Sequence, residues 1–205
     1  TTGEAMERGR PTIDVAHRRV FVGSSDYGLY ALDAADGRHL WRYETTGPVQ
    51  SEPLYDATED AVYFGSNDGA LYKVRAEDGA LAWRFATNSE VARRPRLEGG
   101  TLYVVNANDT LLALDPKTGE KRWSVHRAPA LGMEVAGYAG PGFGDGKVFA
   151  AFSDGHVGAY AASDGAEKWL IDLSAEGEAA SADQQRYLDV DTTPIFDVVA
   201  GHSVI

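Results

Sequence analysis

The stretch Leu29-Tyr30-Ala31-Leu32-Asp33-Ala34-Ala35-Asp36-Gly37-Arg38-His39-Leu40-Trp41 carries the fold in miniature. A short apolar run ends at an aspartate, an Asp-Gly turn follows, and a second apolar run bears a tryptophan four residues after the glycine. The same offset joins Gly79 to Trp83, Gly119 to Trp123 and Gly165 to Trp169, which accounts for all 4 tryptophans in the chain. Successive tryptophans lie 42, 40 and 46 residues apart. A residue pair locked at one offset and recurring about every 40 residues marks a repeat architecture. Repeat scaffolds act chiefly through faces and loops rather than one buried cleft.

Upstream of each Gly–Trp pair the chain reads as a strand, a tight turn and a second strand. Val20–Leu32, Val62–Val74, Leu102–Leu114 and Val148–Tyr160 all open with β-branched, aromatic or aliphatic residues, which suit a pleated, half-buried surface. Each then turns at an Asp or Asn beside Gly or Thr, residues that tolerate left-handed backbone angles. Pro11 and Pro53 precede their tryptophans by 30 residues, and Pro95 and Pro141 by 28. Proline within a sheet belongs at a strand start or an edge. No stretch sustains a 3.6-residue apolar period.

Each unit is therefore expected to hold four short antiparallel strands, the make-up of a β-propeller blade. One small sheet cannot bury both of its faces, so neighbouring blades stabilise one another, and the tryptophans are expected between blades with a neighbour's turn glycine close by. The expected class is all-β, a single partial propeller over residues 1–205. Its repeats fall at about 11–45, 53–87, 95–127 and 141–173, with the start of a fifth at 190–205. About four and a half blades are expected here, as part of a longer propeller. Standing alone, such a chain is expected to associate through exposed strand edges.

Composition narrows the function classes. The chain is 43% hydrophobic and 24% charged, as in globular proteins. No apolar run reaches the length of a membrane span. With 0 cysteines there is no disulfide, thiolate metal site or thiol nucleophile. A net charge of −12 argues against nucleic acid and anionic membranes as partners. The acidity is uneven: the first 127 residues hold 16 basic and 19 acidic residues, and the remainder 3 and 12. The second half is either a solvated acidic surface or a face that steers a basic partner.

The pattern Leu-x-Ala-Leu-Asp-x-x-[Asp/Thr]-Gly-x-x-x-Trp, at Leu29–Trp41 and Leu111–Trp123, resembles the quinoprotein-type propeller repeat. The run Leu188-Asp189-Val190-Asp191-Thr192-Thr193-Pro194-Ile195, after Asp172-Leu173-Ser174, is more specific. Together with Gly142-Phe143-Gly144 ahead of Lys147-Val148-Phe149, it resembles the BamB family of propeller lipoproteins of the bacterial outer-membrane β-barrel assembly machinery. The resemblance spans residues 11–205 and implies several things. The full propeller would have eight blades and no catalytic activity or cofactor. It would be periplasmic, held to the outer membrane by an N-terminal lipid. It would dock on a periplasmic domain of the barrel-assembly central subunit and serve unfolded outer-membrane proteins as clients. The family's docking surface maps onto Asp189 and Asp191 and onto the 131–140 loop, where Met133 and Val135 take the aliphatic places. Ala136 stands where the family has arginine, and the lipid-anchor cysteine is missing from this chain.

In an extended strand Asp189 and Asp191 would share one face. Two adjacent carboxylates favour a matching cation, and a partner arginine can supply charge-assisted hydrogen bonds. The alternatives are a plain solvated loop and a calcium site, which would need further oxygen ligands from other loops.

Enzyme readings fare worse. Quinone dehydrogenases share the repeat but use a closed ring, calcium and commonly a vicinal disulfide, and this chain has no cysteine. His17, His39, His126, His156 and His202 show no metal-ligand spacing. There is no nucleophile elbow or phosphate loop. Asp33 and Asp115 read as turn residues bonding nearby backbone. Arg93, Arg94 and Arg96 form one local basic patch at a strand edge. The competing class is a ligand-binding or sensor propeller of a signalling protein. An upstream signal sequence and lipidated cysteine would mark the scaffold, and a membrane span or catalytic domain the sensor.

Overall fold

A computed structural model describes residues 9–129, 139–173, 193–194, 197–199 and 202–204. Among them there is no helix, and four antiparallel four-stranded sheets follow one another along the chain. The first comprises β1 (Thr12–Asp14), β2 (Arg19–Ser24), β3 (Gly28–Asp33) and β4 (His39–Glu44). The second comprises β5 (Leu54–Asp56), β6 (Ala61–Ser66), β7 (Ala70–Arg75) and β8 (Leu81–Ala86). The third holds β9 (Arg96–Glu98), β10 (Thr101–Asn106), β11 (Thr110–Leu114) and β12 (Lys121–His126). The fourth holds β13 (Gly142–Gly144), β14 (Lys147–Ala151), β15 (His156–Ala161) and β16 (Glu167–Asp172). In each sheet the strands lie in sequence order. These are blades of a partial β-propeller. A further hairpin pairs β17 (Asp197–Val199) with β18 (His202–Val204).

Every innermost strand of the four blades starts right after its proline, where a missing N–H costs the ladder nothing. The outermost strands share a device that was not visible in the spacing. Ala31 faces Trp41 but Leu32 faces His39, so the register shifts by one extra residue, Leu40. The same shift falls beside Trp83, Trp123 and Trp169. A β-bulge bends and twists its strand, so each tryptophan is re-aimed by the residue before it.

Contact density divides the chain into two compact units. One is Thr1–Leu102 with Asp115–Glu120, and the other is Tyr103–Leu114 with Lys121–Ile205. In the first unit, Phe21, Leu29, Ala31 and Trp41 of the first blade pack with Val62, Phe64, Tyr72 and Val74 of the second. Strand β2 alternates between buried and half-buried residues, as a sheet covered on one face must, while β6 is buried at every position. In the second unit, Tyr103, Val105, Leu111, Ala113 and Trp123 pack with Val148, Ala150, Phe152 and Tyr160.

Candidate functional site

The two segments singled out for docking meet at their described ends. Asp189, Asp191, Met133, Val135 and Ala136 themselves lie outside the described residues. Thr193, two positions after Asp191, accepts a hydrogen bond at its Oγ1 from the backbone N–H of Gly140, at 2.9 Å. Gly140 closes the 131–140 loop. Two residues on, any Cβ at Gly142 would run into the carbonyl oxygen of Pro194. The glycine in Gly142-Phe143-Gly144 is therefore needed for close backbone approach, and Thr193-Pro194 sits against the start of the fourth blade. Ala139 and Gly140 are buried there.

The Gly–Trp pairs act across repeats rather than within them. Gly79, with φ of 72°, places its vacant Cβ position 2.6 Å from Trp41 of the preceding blade. Gly119 meets Trp83 in the same way at 2.7 Å, and Gly165 meets Trp123 at 2.7 Å. Each indole N–H donates to a carbonyl three residues before that glycine: Trp41 to Ala76 at 3.0 Å, Trp83 to Pro116 at 3.1 Å and Trp123 to Ala162 at 3.1 Å. A left-handed turn that exposes both a bare Cα and a free carbonyl is what the ring grips. This explains why 115–120, a turn of the third blade, belongs with the first unit: it is seated on Trp83. The four tryptophans are not alike, however. Nothing lies within 4 Å of a Cβ on Gly37, and no described glycine covers Trp169.

Charged groups reinforce these junctions. Arg19 is nearly buried, and its guanidinium is held by Asp14 of its own blade and Asp60 of the next. His17 adds a 2.9 Å contact to Asp14, and Tyr55 donates to Asp60 at 3.0 Å. Asp14, His17 and Asp60 come close enough to suggest metal ligands. The Arg19 cation already lies among them and neutralises both carboxylates, so the set is an ion-pair cluster. In the second unit Asp109, wholly buried, accepts from the backbone N–H of Ser153 at 3.1 Å and from its hydroxyl. Arg127 clasps Asp154 through two nitrogens, at 2.8 and 2.5 Å.

Asp33 and Asp115 bond nearby backbone, accepting from Ala35 and Lys117. His156 is part-buried beside Asp154. Arg94 of the basic patch is paired with Glu52 at 2.6 Å. A shallow recess of about 360 Å³ opens beside the second blade, lined by Asn67, Asp68, Arg84, Asn88, Ser89 and Glu90. Its central carboxylate, Asp68, is occupied: it accepts from Thr46 and, at 2.5 Å, from the Tyr72 hydroxyl.

Burial works to raise the carboxyls of Asp14, Asp68 and Asp154, but hydrogen bonds from Arg19, Tyr72 and Arg127 outweigh it and hold each below its ordinary value. Groups with a depressed folded-state pKa stabilise the fold above the unfolded value and lose that contribution as pH falls. The thermal midpoint will stay nearly level from neutral pH to about 5 and drop by several degrees below about pH 4, where free aspartate titrates. Circular dichroism melts across that range test this, and a midpoint that holds steady to pH 3 would contradict it.

A model of the family described as outer membrane protein assembly factor BamB matches residues 3–59 and 49–205. The chain belongs to the BamB family. Among solved structures, the crystal structure of BamB from Moraxella catarrhalis aligns with a TM-score of 0.65 at 19% identity, covering 81% of this chain and 48% of that one. The computationally designed Ika8 protein aligns with a TM-score of 0.64 at 15% identity, covering 79% and 48%. At these identities the likeness is one of fold, and this chain spans about half the length of either structure. No curated protein sequence matches it. Within the BamB family reading, the Arg19 and Asp109 contacts are additions that repeat spacing does not reveal. The only signal for Arg19 was that Ala61, Thr101 and Lys147 stand at the start of the corresponding strands.

Proposed function

We propose that this protein is a non-catalytic periplasmic scaffold of outer-membrane protein assembly. It docks on a periplasmic domain of the barrel-assembly central subunit through Asp189, Asp191 and the 131–140 loop. The observation that carries the reading is the Gly140–Thr193 hydrogen bond, which ties together the chain positions next to both segments. Membership of the BamB family supports it, as does the acidic balance of residues 128–205, where 12 acidic residues face 3 basic ones. A basic partner surface would be drawn to that half before contact, and arginine would be the natural counterpart of paired carboxylates. Met133 and Val135 supply apolar contact beside them, with Ala136 in place of the family's arginine. The anchor to the outer membrane is an N-terminal lipid of the full-length protein.

Calorimetry with the purified periplasmic domains of the central subunit, at low and high salt, tests the docking. The wild-type protein will bind saturably and more weakly at high salt. An Asp189→Ala/Asp191→Ala variant will lose roughly 30-fold or more in affinity, the scale of removing one side of a paired charge at an interface. Binding that survives the double substitution would move the site. No binding by a folded wild-type protein would overturn the scaffold reading.

A further inference from the structure

The first two blades hold the same arginine in two states of occupation. Each sets a tyrosine of its third strand opposite an arginine of its fourth, Tyr30 with Arg42 and Tyr72 with Arg84. Each guanidinium lies over the ring of its tyrosine, 5.4 and 5.5 Å from the ring centre. Two residues on, at matching register, stand Glu44 in the first blade and Ala86 in the second. That difference decides what the arginines do. Arg42 is satisfied within its own blade: one terminal nitrogen donates to the Glu44 carboxylate, and the other to the Asp26 carbonyl at 2.9 Å. Arg84 has no such partner. Its Nε donates to the Tyr72 hydroxyl at 3.1 Å, and its two terminal nitrogens find no acceptor among the described residues.

The inner side of Arg84 is held firmly. Tyr72 is 3% exposed and stacks on Phe64 at 5.0 Å. Its hydroxyl donates to Asp68, which is held in turn by the Thr46 hydroxyl at 3.1 Å and the Ala70 N–H at 3.1 Å. A guanidinium fixed through Nε and one face keeps its two terminal nitrogens in a set plane, a geometry that takes a carboxylate through two parallel bonds. Arg84 borders the recess of the second blade, and Asn88 and Ser89 line it with further polar groups. The side chains of Asn88 and Ser89 have no hydrogen-bond partner among the described residues either, and Asn88 is held at a left-handed φ of 65°. Asp68 and Glu90 line the same recess, so a single negative charge is favoured there over a dianion such as phosphate.

We propose that this recess binds a carboxylate, which takes at Arg84 the place that Glu44 takes at Arg42. The site belongs to the second blade and does not rest on the docking reading above.

Proton–nitrogen correlation NMR on the isotope-labelled chain tests it. The probes are N-acetylalanine and N-acetylglutamate α-amide, and the controls are N-acetylalanine amide and inorganic phosphate. The acids will shift the backbone amide signals of Gly69, Asn88 and Ser89 saturably at millimolar concentration, the scale for ligands so small. The tighter of the two distinguishes a chain end from an acidic side chain as the source. Arg84→Gln will weaken binding by roughly tenfold or more, the loss expected with a charge-assisted hydrogen bond. Ala86→Glu, which installs the glutamate of the first blade, will fill the fork from within and abolish the shifts. Both positions are exposed, so both variants will fold. A wild-type chain that shows no shifts with either acid overturns the proposal. So do equal shifts with the neutral amide, tighter binding of phosphate, or binding that survives either substitution undiminished.

Discussion

Trp123→Ala will destabilise the protein by about 4 kcal/mol, the range for emptying a buried large aromatic site, whereas Trp169→Ala will cost less, about 2 kcal/mol, because Trp169 is only partly buried. Sequence gives no reason to separate the two, since both follow a turn glycine by four residues. The difference comes from what covers them. Trp123 is 8% exposed, lies against Gly165, donates to the Ala162 carbonyl and contacts Tyr103 at 5.8 Å. Alanine there removes the ring, leaves a cavity between two sheets and orphans a carbonyl. Among the described residues, Trp169 has a ring contact with Phe149 of its own blade, at 5.9 Å. Urea unfolding followed by circular dichroism, at a concentration where the chain is monomeric, gives both numbers. Equal losses would mean that the Trp169 face is already covered.

Arg19→Met is expected to cost about 3 kcal/mol at neutral pH, because breaking a buried ion pair leaves the remaining charge without compensation. Asp14 is only 2% exposed at its side chain, and its carboxylate depends on this guanidinium. Asp60 is 45% exposed and can turn to water, so the penalty falls on Asp14. The sign of the pH dependence follows. In the variant, burial is no longer opposed by Arg19, so the Asp14 carboxyl rises, and protonation relieves the strain. The gap in stability between variant and wild type will therefore narrow as pH drops from 7 toward about 4, where free carboxyls titrate. Adding Asp14→Asn to Arg19→Met should restore part of the loss at neutral pH. A gap that is constant with pH would assign the cost to the lost contact of the guanidinium with the Phe21 and Tyr55 rings.

The blades were legible because their signals are local. An Asp-Gly turn, an alternating strand and a tryptophan at fixed offset are each decided within a dozen residues, and they recur. Which atoms meet was less legible. That a neighbour's turn glycine would approach the ring was expected, and Gly79, Gly119 and Gly165 do serve the preceding repeat's tryptophan, but the carbonyl that each indole N–H reaches was not in the pattern. Asp109, read as a hairpin residue, is buried and holds Ser153, 44 residues on. Arg19 reaches Asp60, 41 residues on. Such pairs occupy positions that differ between repeats, so periodicity averages them away. For the docking surface, the Asp-Val-Asp-Thr-Thr-Pro run marked the segment. That its neighbour Thr193 is bonded to Gly140 was unreadable, because 53 residues separate them and no pattern links a glycine N–H to a distant hydroxyl.

The bulge beside each tryptophan has a consequence for the open edge of each sheet. The outermost strand of every sheet has one side open, and a straight open side is a template on which a stray chain can crystallise its own backbone. Here the extra residue before Trp41, Trp83, Trp123 and Trp169 breaks that side near its start in all four blades. A foreign strand can match the ladder for only a few residues before it falls out of step. The feature that turns the indole inward thus also guards the rim, and duplication of the repeat copied the guard along with the lock.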